Sequence, residues 1–270
     1  MRALYVDLDN TLLGRDAALL RDGQGAFSLL GVRALEACDR AGVEVVPFSG
    51  RRRAQVAEPA RLLGCAAFIF EAGCGMSLDG ELIWLTDDLP PAARSIHQQI
   101  AESGAPRLLL ERYAGRLEPH DPWHLGREAS HLFRGDVEAR EVDALLAAQG
   151  HGHLRLVDNG SVSSRSPTMP EVAAPRAYHL IPAAASKARA VARHMRARGL
   201  TPEDCIAVGD SREDLAAAET VATFWLVANG LADDPTIRSA LAQHPNARVC
   251  EEDFGAGVYE AVVRTLAERR

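Results

Sequence analysis

The sequence predicts an α/β chain in two parts: a doubly wound, mostly parallel sheet with helices on both faces, interrupted by an inserted α+β unit. Three observations predict it. At both ends of the chain, short apolar runs alternate with segments of helical periodicity, the rhythm of βα units. The middle of the chain loses that rhythm, is rich in proline and holds six of the nine histidines, which marks it as a separate unit. And 270 residues with 47% apolar content suffice for two packed cores without disulfides.

The elements follow in order. Residues 3–8 read as a buried strand running into polar residues. Residues 32–41 read as a helix stopped by Gly42, and 43–48 as a β-branched strand. Residues 53–63 read as a helix closed by Gly64, with Pro59 as a potential break. A third strand is expected at 66–70, and a hairpin at 77–84 around Asp79-Gly80. The inserted unit is placed at 79–179, dividing the core into 1–78 and 180–270. Within the insert, helices are expected at 91–103 and 136–149, strand-like pieces at 107–111 and 154–158, and a loop at 159–170. The βα rhythm then returns. Ser186 can cap a helix ended by Gly199, strands are expected at 205–208, 222–227 and 247–250, and a helix at 254–268 closes the chain.

Composition excludes several classes of function. A net charge of −7 and a pI near 5.7 argue against sequence-independent nucleic-acid binding. No run of 18 apolar residues predicts a membrane span, and the N-terminus turns acidic too early for a signal peptide. Five scattered cysteines without a CxxC pair read as reduced thiols of a cytoplasmic protein. Basic residues are almost all arginine. The single lysine, Lys187, is therefore singled out.

Ligands of open α/β sheets gather beyond the C-terminal strand ends, and four such ends carry polar groups. Asp7-Leu8-Asp9-Asn10-Thr11 offers two carboxylates one residue apart, suited to a nucleophile or metal ligand beside a proton donor and acceptor; an Asx turn is the simpler alternative. Ser49-Gly50-Arg51 offers a hydroxyl, an unhindered amide and a guanidinium, all able to contact an oxyanion, although Ser-Gly at a strand end is also an ordinary turn. Lys187 at a helix start can neutralise a carboxylate and a phosphate together. Asp210 and Asp214, four apart at the start of a βα turn, can share a hard cation; Glu213 and Asp214 can also serve as acids at a helix N-terminus, a reading that fits Asp210, ahead of the helix, less well. Other patterns fail. His120-x-x-x-His124 is disrupted by Pro119 and Pro122, leaving loop histidines. Gly23-x-Gly25 lacks its third glycine, and no GxSxG, P-loop or HExxH is present.

Taken together, Asp7-x-Asp9-x-Thr11, Ser49, Lys187 and Gly209-Asp210-x-x-x-Asp214 resemble, in order, the four motifs of the haloacid dehalogenase-like phosphohydrolase superfamily, over 1–78 and 180–270. The long interval between Ser49 and Lys187 implies a large inserted cap. Phe68 to Gly75 looks like the family stretch preceding such a cap, with Ala72 where asparagine is usual; Glu213 likewise replaces an asparagine. Arg127-Glu128-Ala129-Ser130 and Arg176-Ala177-Tyr178-His179-Leu180 are similar to the Cof-type and mannosyl-3-phosphoglycerate phosphatase-like branch. The resemblance implies a Rossmann-like core and Mg²⁺-dependent hydrolysis of a small phosphate monoester, a sugar phosphate or a glycosyl phosphoglycerate. Asp7 would be the nucleophile, forming an aspartyl-phosphate, and Asp9 the general acid and base. Ser49, Gly50 and Lys187 would hold the phosphate. Mg²⁺ would sit on Asp7, the backbone carbonyl of Asp9, Asp210 and Asp214. Arg51, Arg127, Arg165 and His179 would contact substrate. The expected partner is a small-molecule ester, with no nucleic acid and no membrane; the oligomeric state stays open. A phosphomutase of the same superfamily, or a non-catalytic phospho-ligand-binding protein, is the alternative. The short interval between Thr11 and Ser49 argues against the phosphomutase, which usually carries a small helical cap there.

Overall fold

The computed structural model describes residues 1–87, 89–162 and 166–268. Its strands are β1 Ala3–Val6, β2 Glu44–Pro47, β3 Ala67–Phe70, β4 Gly75–Leu78, β5 Glu81–Trp84, β6 Leu117–Pro119, β7 His131–Gly135, β8 Leu154–Ser161, β9 Arg176–Pro182, β10 Cys205–Gly209, β11 Thr223–Leu226 and β12 Ala247–Val249. A five-stranded sheet runs in the order β12-β11-β10-β1-β2, parallel throughout, with Ala3 opposite both Cys205 and Glu44. A single parallel bridge between Phe48 and Ile69 sets β3 beside β2. The predicted fold class is the observed one.

β1 lies between β10 and β2 and is buried on both faces, which is why its sequence is continuously apolar. Alternate residues serve the two faces. Tyr5 joins Phe48, Val191 and Met195 under the helix Lys187–Arg198, while Leu4 and Val6 join Trp225 and Val262 under the helices Leu30–Arg40 and Phe254–Glu268. β3, β4 and β5 form an antiparallel sheet whose Asp79-Gly80 turn has φ of 52° and 86°. Two positive φ values in succession are the geometry a tight hairpin requires. A second antiparallel sheet, β6-β7-β9-β8, packs its apolar face on the helices Ile96–Glu102, Ala105–Arg112 and Ala139–Ala148 through Phe133, Tyr178, Leu180 and Leu156.

Several elements differ from expectation. Residues 107–111, expected as a strand, lie in the helix Ala105–Arg112. The Leu108-Leu109-Leu110 run satisfies either period, and Pro106 in the first turn, after a left-handed Gly104, decides for helix. The helix expected from 91 begins at Ile96, because Ser95 and Gln98 form a reciprocal capping box. Pro59 does not break the helix Arg53–Leu62. β8 runs on to Ser161, into the segment expected as loop. Strands β6, β7 and β9 were hidden by polar residues, which alternate with the residues packed on the helices. β9 runs across position 179, where the sequence suggests a division of the chain. No helix of the described residues is long and apolar enough to cross a membrane.

Candidate active site

The Asp7 amide extends the parallel ladder by donating to the Val208 carbonyl (3.0 Å), so the Asp7 carboxylate leaves the sheet at its C-terminal edge. The chain then curls. Asn10 adopts a left-handed φ of 58°, the Leu12 and Leu13 amides turn back to Asp7 and Leu8, and Thr11 donates from its hydroxyl to Asp210 Oδ1 (3.0 Å). The motif is thus both a turn and a site.

Lys187 is fully buried at the head of its helix, which Ser186 caps. Its ammonium lies 2.9 Å from Asp7 Oδ1, 2.6 Å from Asp214 Oδ1 and 3.3 Å from Glu213 Oε2, and over the Phe48 ring at 4.9 Å. Gly73, at φ 87°, lets the turn after β3 press on this helix start: a Cβ there would stand 2.2 Å from Ser186 backbone. Asp214 is held from the other side, its Oδ2 accepting from the Asp210 and Ser211 amides and the Ser211 hydroxyl. Gly209 makes room for it, since a Cβ would meet the Asp214 Cβ at 2.3 Å.

Asp7, Asp210 and Asp214 each offer a carboxylate oxygen within 4.8 Å of the others, the only such group of three among the described residues. Burial, then the neighbouring carboxylates, raises Asp7 well above the usual carboxylate range and Asp210 to about 8. Burial by itself would lower Lys187, but Asp214, Asp7 and Glu213 outweigh it and hold the ammonium well above its ordinary value. Apart from the Lys187 ion pair, the buried Glu213 carboxylate oxygens have no hydrogen-bond partner.

The Asp9 side chain stands outside this group. It is half exposed and clasped by Arg51, with Nε on Oδ2 at 2.7 Å and Nη2 on Oδ1 at 2.6 Å, a bidentate pair. Arg51 therefore meets Asp9 directly, and Asp9 raises its pKa. Ser49 is buried, and its Oγ accepts from the Arg51 amide at 3.2 Å. The Gly50 amide donates to no group among the described residues. A Cβ on Gly50 would meet His179 Nε2 at 2.7 Å and Asn159 at 3.0 Å, so both side chains reach down onto this loop from the second antiparallel sheet.

Arg127 and His179 are buried at that junction and do not project into open space. Arg127 Nη1 donates to the Gly50 carbonyl and to Ser130 Oγ, both at 3.0 Å, and burial pushes its pKa down to about 10. Burial holds His179 well below its ordinary value, hence neutral. Arg165 lies outside the described residues. His120 and His124 lie in the turn between β6 and β7, where the His124 amide donates to the His120 carbonyl (2.8 Å). Sequence reasoning missed Glu71, wholly buried and accepting from the amides of Glu128, Ala129 and Ser130. It also missed the mouth of the cleft. There Arg176 of β9 pairs with Asp158 (2.6 Å) and Asp234 (3.4 Å), Arg212 pairs with Asp234 (3.1 Å), and Asn10, Gly160 and Asp210 line the same small cavity. Arg176 and Asp210 were singled out by sequence, but for Asp158, Arg212 and Asp234 the only signal was charge, and arginine and aspartate are too common in this chain to stand out.

The fold is similar to that of solved haloacid dehalogenase-like hydrolases. The chain is similar over 98% of its length to sucrose-phosphatase from Synechocystis sp. PCC6803 in complex with sucrose and phosphate, covering 98% of that chain at a TM-score of 0.65 and 17% identity. Thermoplasma acidophilum 0175 gives 98% and 98% coverage, 0.65 and 18% identity. A haloacid dehalogenase-like hydrolase from Bacteroides thetaiotaomicron gives 97% and 98%, 0.60 and 16%. No protein-family model and no curated protein matches the sequence.

Proposed function

We propose that this chain is a phosphoric monoester hydrolase acting on a small phosphorylated sugar or a glycosyl phosphoglycerate, with 79–179 as the cap that selects the substrate over a core of 1–78 and 180–270. The observation that carries the reading is the Asp7 carboxylate at the end of β1, flanked by Lys187, Asp210 and Asp214. The likeness to a sucrose-phosphatase supports it. Five free thiols, four of them buried, suit a cytoplasmic enzyme.

The residues present fit Mg²⁺. Three carboxylates converge, and oxygen donors suit a hard cation; burial first, and the neighbouring carboxylates after it, raise Asp7 and Asp210. Asp7, Asp210 and Asp214 would hold the ion, with the Asp9 backbone carbonyl. When bound it supplies charge neutralisation toward the phosphate. The protein's own groups do the rest. Asp7 attacks phosphorus, and the ester oxygen departs with a proton from Asp9, leaving an aspartyl-phosphate. Asp9 then removes a proton from water, which attacks the same phosphorus and restores Asp7. The Ser49 hydroxyl, the Gly50 amide and the Lys187 ammonium donate to the equatorial oxygens, and Arg51 fixes the Asp9 carboxylate.

Release of inorganic phosphate from p-nitrophenyl phosphate and from a panel of sugar phosphates and phosphoglycerate derivatives tests the reading. Turnover with Mg²⁺ is expected, and Asp7→Asn should abolish it while the protein stays folded. An Asp7→Asn protein within tenfold of the parent would refute the nucleophile.

A further inference from the structure

All three carbonyls of the Ser49-Gly50-Arg51 loop are occupied. Those of Ser49 and Arg51 accept from the amides of Ala72 (3.1 Å) and Glu71 (2.9 Å), in the turn after β3. The middle one, on Gly50, accepts from Arg127, which belongs to the inserted unit. Arg127 is itself fixed by the Trp123 carbonyl (3.1 Å) and the Ser130 hydroxyl (3.0 Å). The residues that follow it wrap the Glu71 carboxylate, with the amides of Glu128, Ala129 and Ser130 at 2.8, 3.0 and 2.6 Å and the Ser130 hydroxyl at 2.8 Å. A carboxylate and a guanidinium thus cross the junction in opposite directions, both buried.

The Gly50 carbonyl and the Arg51 N–H are the two ends of one peptide plane. Fixing the carbonyl therefore fixes the N–H, and that N–H donates to Ser49 Oγ at 3.2 Å. With its acceptor position filled, the Ser49 hydroxyl keeps its proton for an incoming phosphoryl oxygen. We propose that Arg127 is a positioning residue: through the Gly50 peptide it orients Ser49, and the phosphate site is complete only when Glu71 has docked the inserted unit onto the loop. This rests on the phosphatase reading and gives Arg127 a task on the phosphate loop in place of contact with the distal part of the substrate.

The test compares kinetics on p-nitrophenyl phosphate and on a sugar phosphate. Arg127→Ala and Arg127→Lys should lower kcat/KM by about 10- to 100-fold on both esters alike, because a small misplacement of a phosphate donor costs that much. A lysine keeps the charge, but its donors sit on one nitrogen and cannot reproduce the fork that places Nε on the Trp123 carbonyl and Nη1 on the Gly50 carbonyl and Ser130 hydroxyl. Arg53→Ala, which breaks the exposed ion pair with Glu128 at the same junction, should stay within about twofold. In a Ser49→Ala background the Arg127 change should cost less than about threefold more, the non-additivity expected of residues acting through one group. Equal, independent losses in both backgrounds would make Arg127 merely structural, and an unchanged rate on p-nitrophenyl phosphate would overturn the proposal. If Arg127→Ala does not fold, Arg127→Lys carries the comparison. Calorimetric binding of inorganic phosphate repeats it without turnover, with about tenfold weakening expected in Arg127→Lys and unchanged affinity refuting it. A wild-type protein that binds phosphate but cleaves no ester would sink the phosphatase reading and leave this proposal standing.

Discussion

Replacing Lys187 by methionine keeps the length of the side chain and deletes its charge. The ammonium then no longer faces Asp7, Asp214 and Glu213, which stand 2.9, 2.6 and 3.3 Å from it. At an effective dielectric of about 20, each contact amounts to about 5–6 kcal/mol before desolvation. Most of that is cancelled by the cost of burying the ions, and breaking a buried pair by removing one partner costs about 3–5 kcal/mol net. For a chain of this size that lowers Tm by about 6–20 °C. Lys187→Arg keeps the charge but overpacks a fully buried site against Phe48, costing about 1–3 kcal/mol. It should be the more stable of the two variants, yet both should lose most phosphatase activity. The pH dependence separates charge from shape. Lys187 has a raised folded-state pKa, so its contribution is complete below the ordinary lysine value and constant from pH 5 to 9. The carboxylates left behind in Lys187→Met are relieved by protonation. The stability gap to the parent should therefore narrow as pH falls toward 5 and widen toward 8. Thermal melts at pH 5, 6.5 and 8 measure this. A Lys187→Met protein melting within about 2 °C of the parent at pH 8 would refute the charge argument.

Three further outcomes are expected. Asp9→Asn should slow turnover of a sugar phosphate by about 10²–10⁴-fold and p-nitrophenyl phosphate much less, since the good leaving group needs no proton; equal slowing of both would remove Asp9 from that role. With a chelator present, Tm should fall as pH rises from about 4 to 8. Asp210 is raised to about 8 and Asp7 is raised with it, so the stability they contribute when protonated is lost as pH climbs through those values; added Mg²⁺ should flatten the slope, and a slope unaffected by Mg²⁺ would count against the ion site. Gly73→Ala should destabilise by about 2 kcal/mol or more, combining a positive φ with a Cβ 2.2 Å from Ser186 backbone; a melt unchanged from the parent would show that the Lys187 helix start can retreat.

The core sheet was legible because its strands are buried on both faces and so are apolar without interruption, as in Cys205-Ile206-Ala207-Val208. The strand ends were legible because acids and a lone lysine stand out beside such runs. The inserted unit was harder to read. Residues 131–135 of β7 mix histidine, leucine, phenylalanine, arginine and glycine, because only one face of that strand is packed on helices. Arg127 could be picked out by sequence, but not its destination, because its partner Gly50 is 77 positions away. Glu71 falls within the 68–75 stretch, but nothing in the sequence marked it as an anchor. A glutamate beside a turn looks like surface, and only the three converging amides of 128–130 make it a buried anchor.

The balance of charge around β1 bears on the order in which the site can fill. Asp7, Asp9, Asp210, Glu213 and Asp214 crowd the strand ends, and the cations in direct contact with them are Lys187 and Arg51. Arg51 is committed to Asp9, the residue that must exchange protons, and Lys187 is shared among three acids before any substrate arrives. A phosphate monoester brings about two further negative charges at neutral pH. Entering an acidic, partly desolvated cleft, it would meet repulsion that the Ser49 hydroxyl and Gly50 amide, as neutral donors, cannot offset. A divalent cation on the three convergent carboxylates would cancel most of that excess negative charge along the approach. On the proposed reading the ion must therefore bind first, and phosphate affinity should depend on Mg²⁺ while Mg²⁺ affinity is measurable without phosphate. By linkage each must then strengthen the other by the same factor. Calorimetric titrations in both orders measure that factor. A phosphate affinity that does not change on adding Mg²⁺ would mean that Lys187 and the loop suffice, and that the acids serve only to hold the lysine.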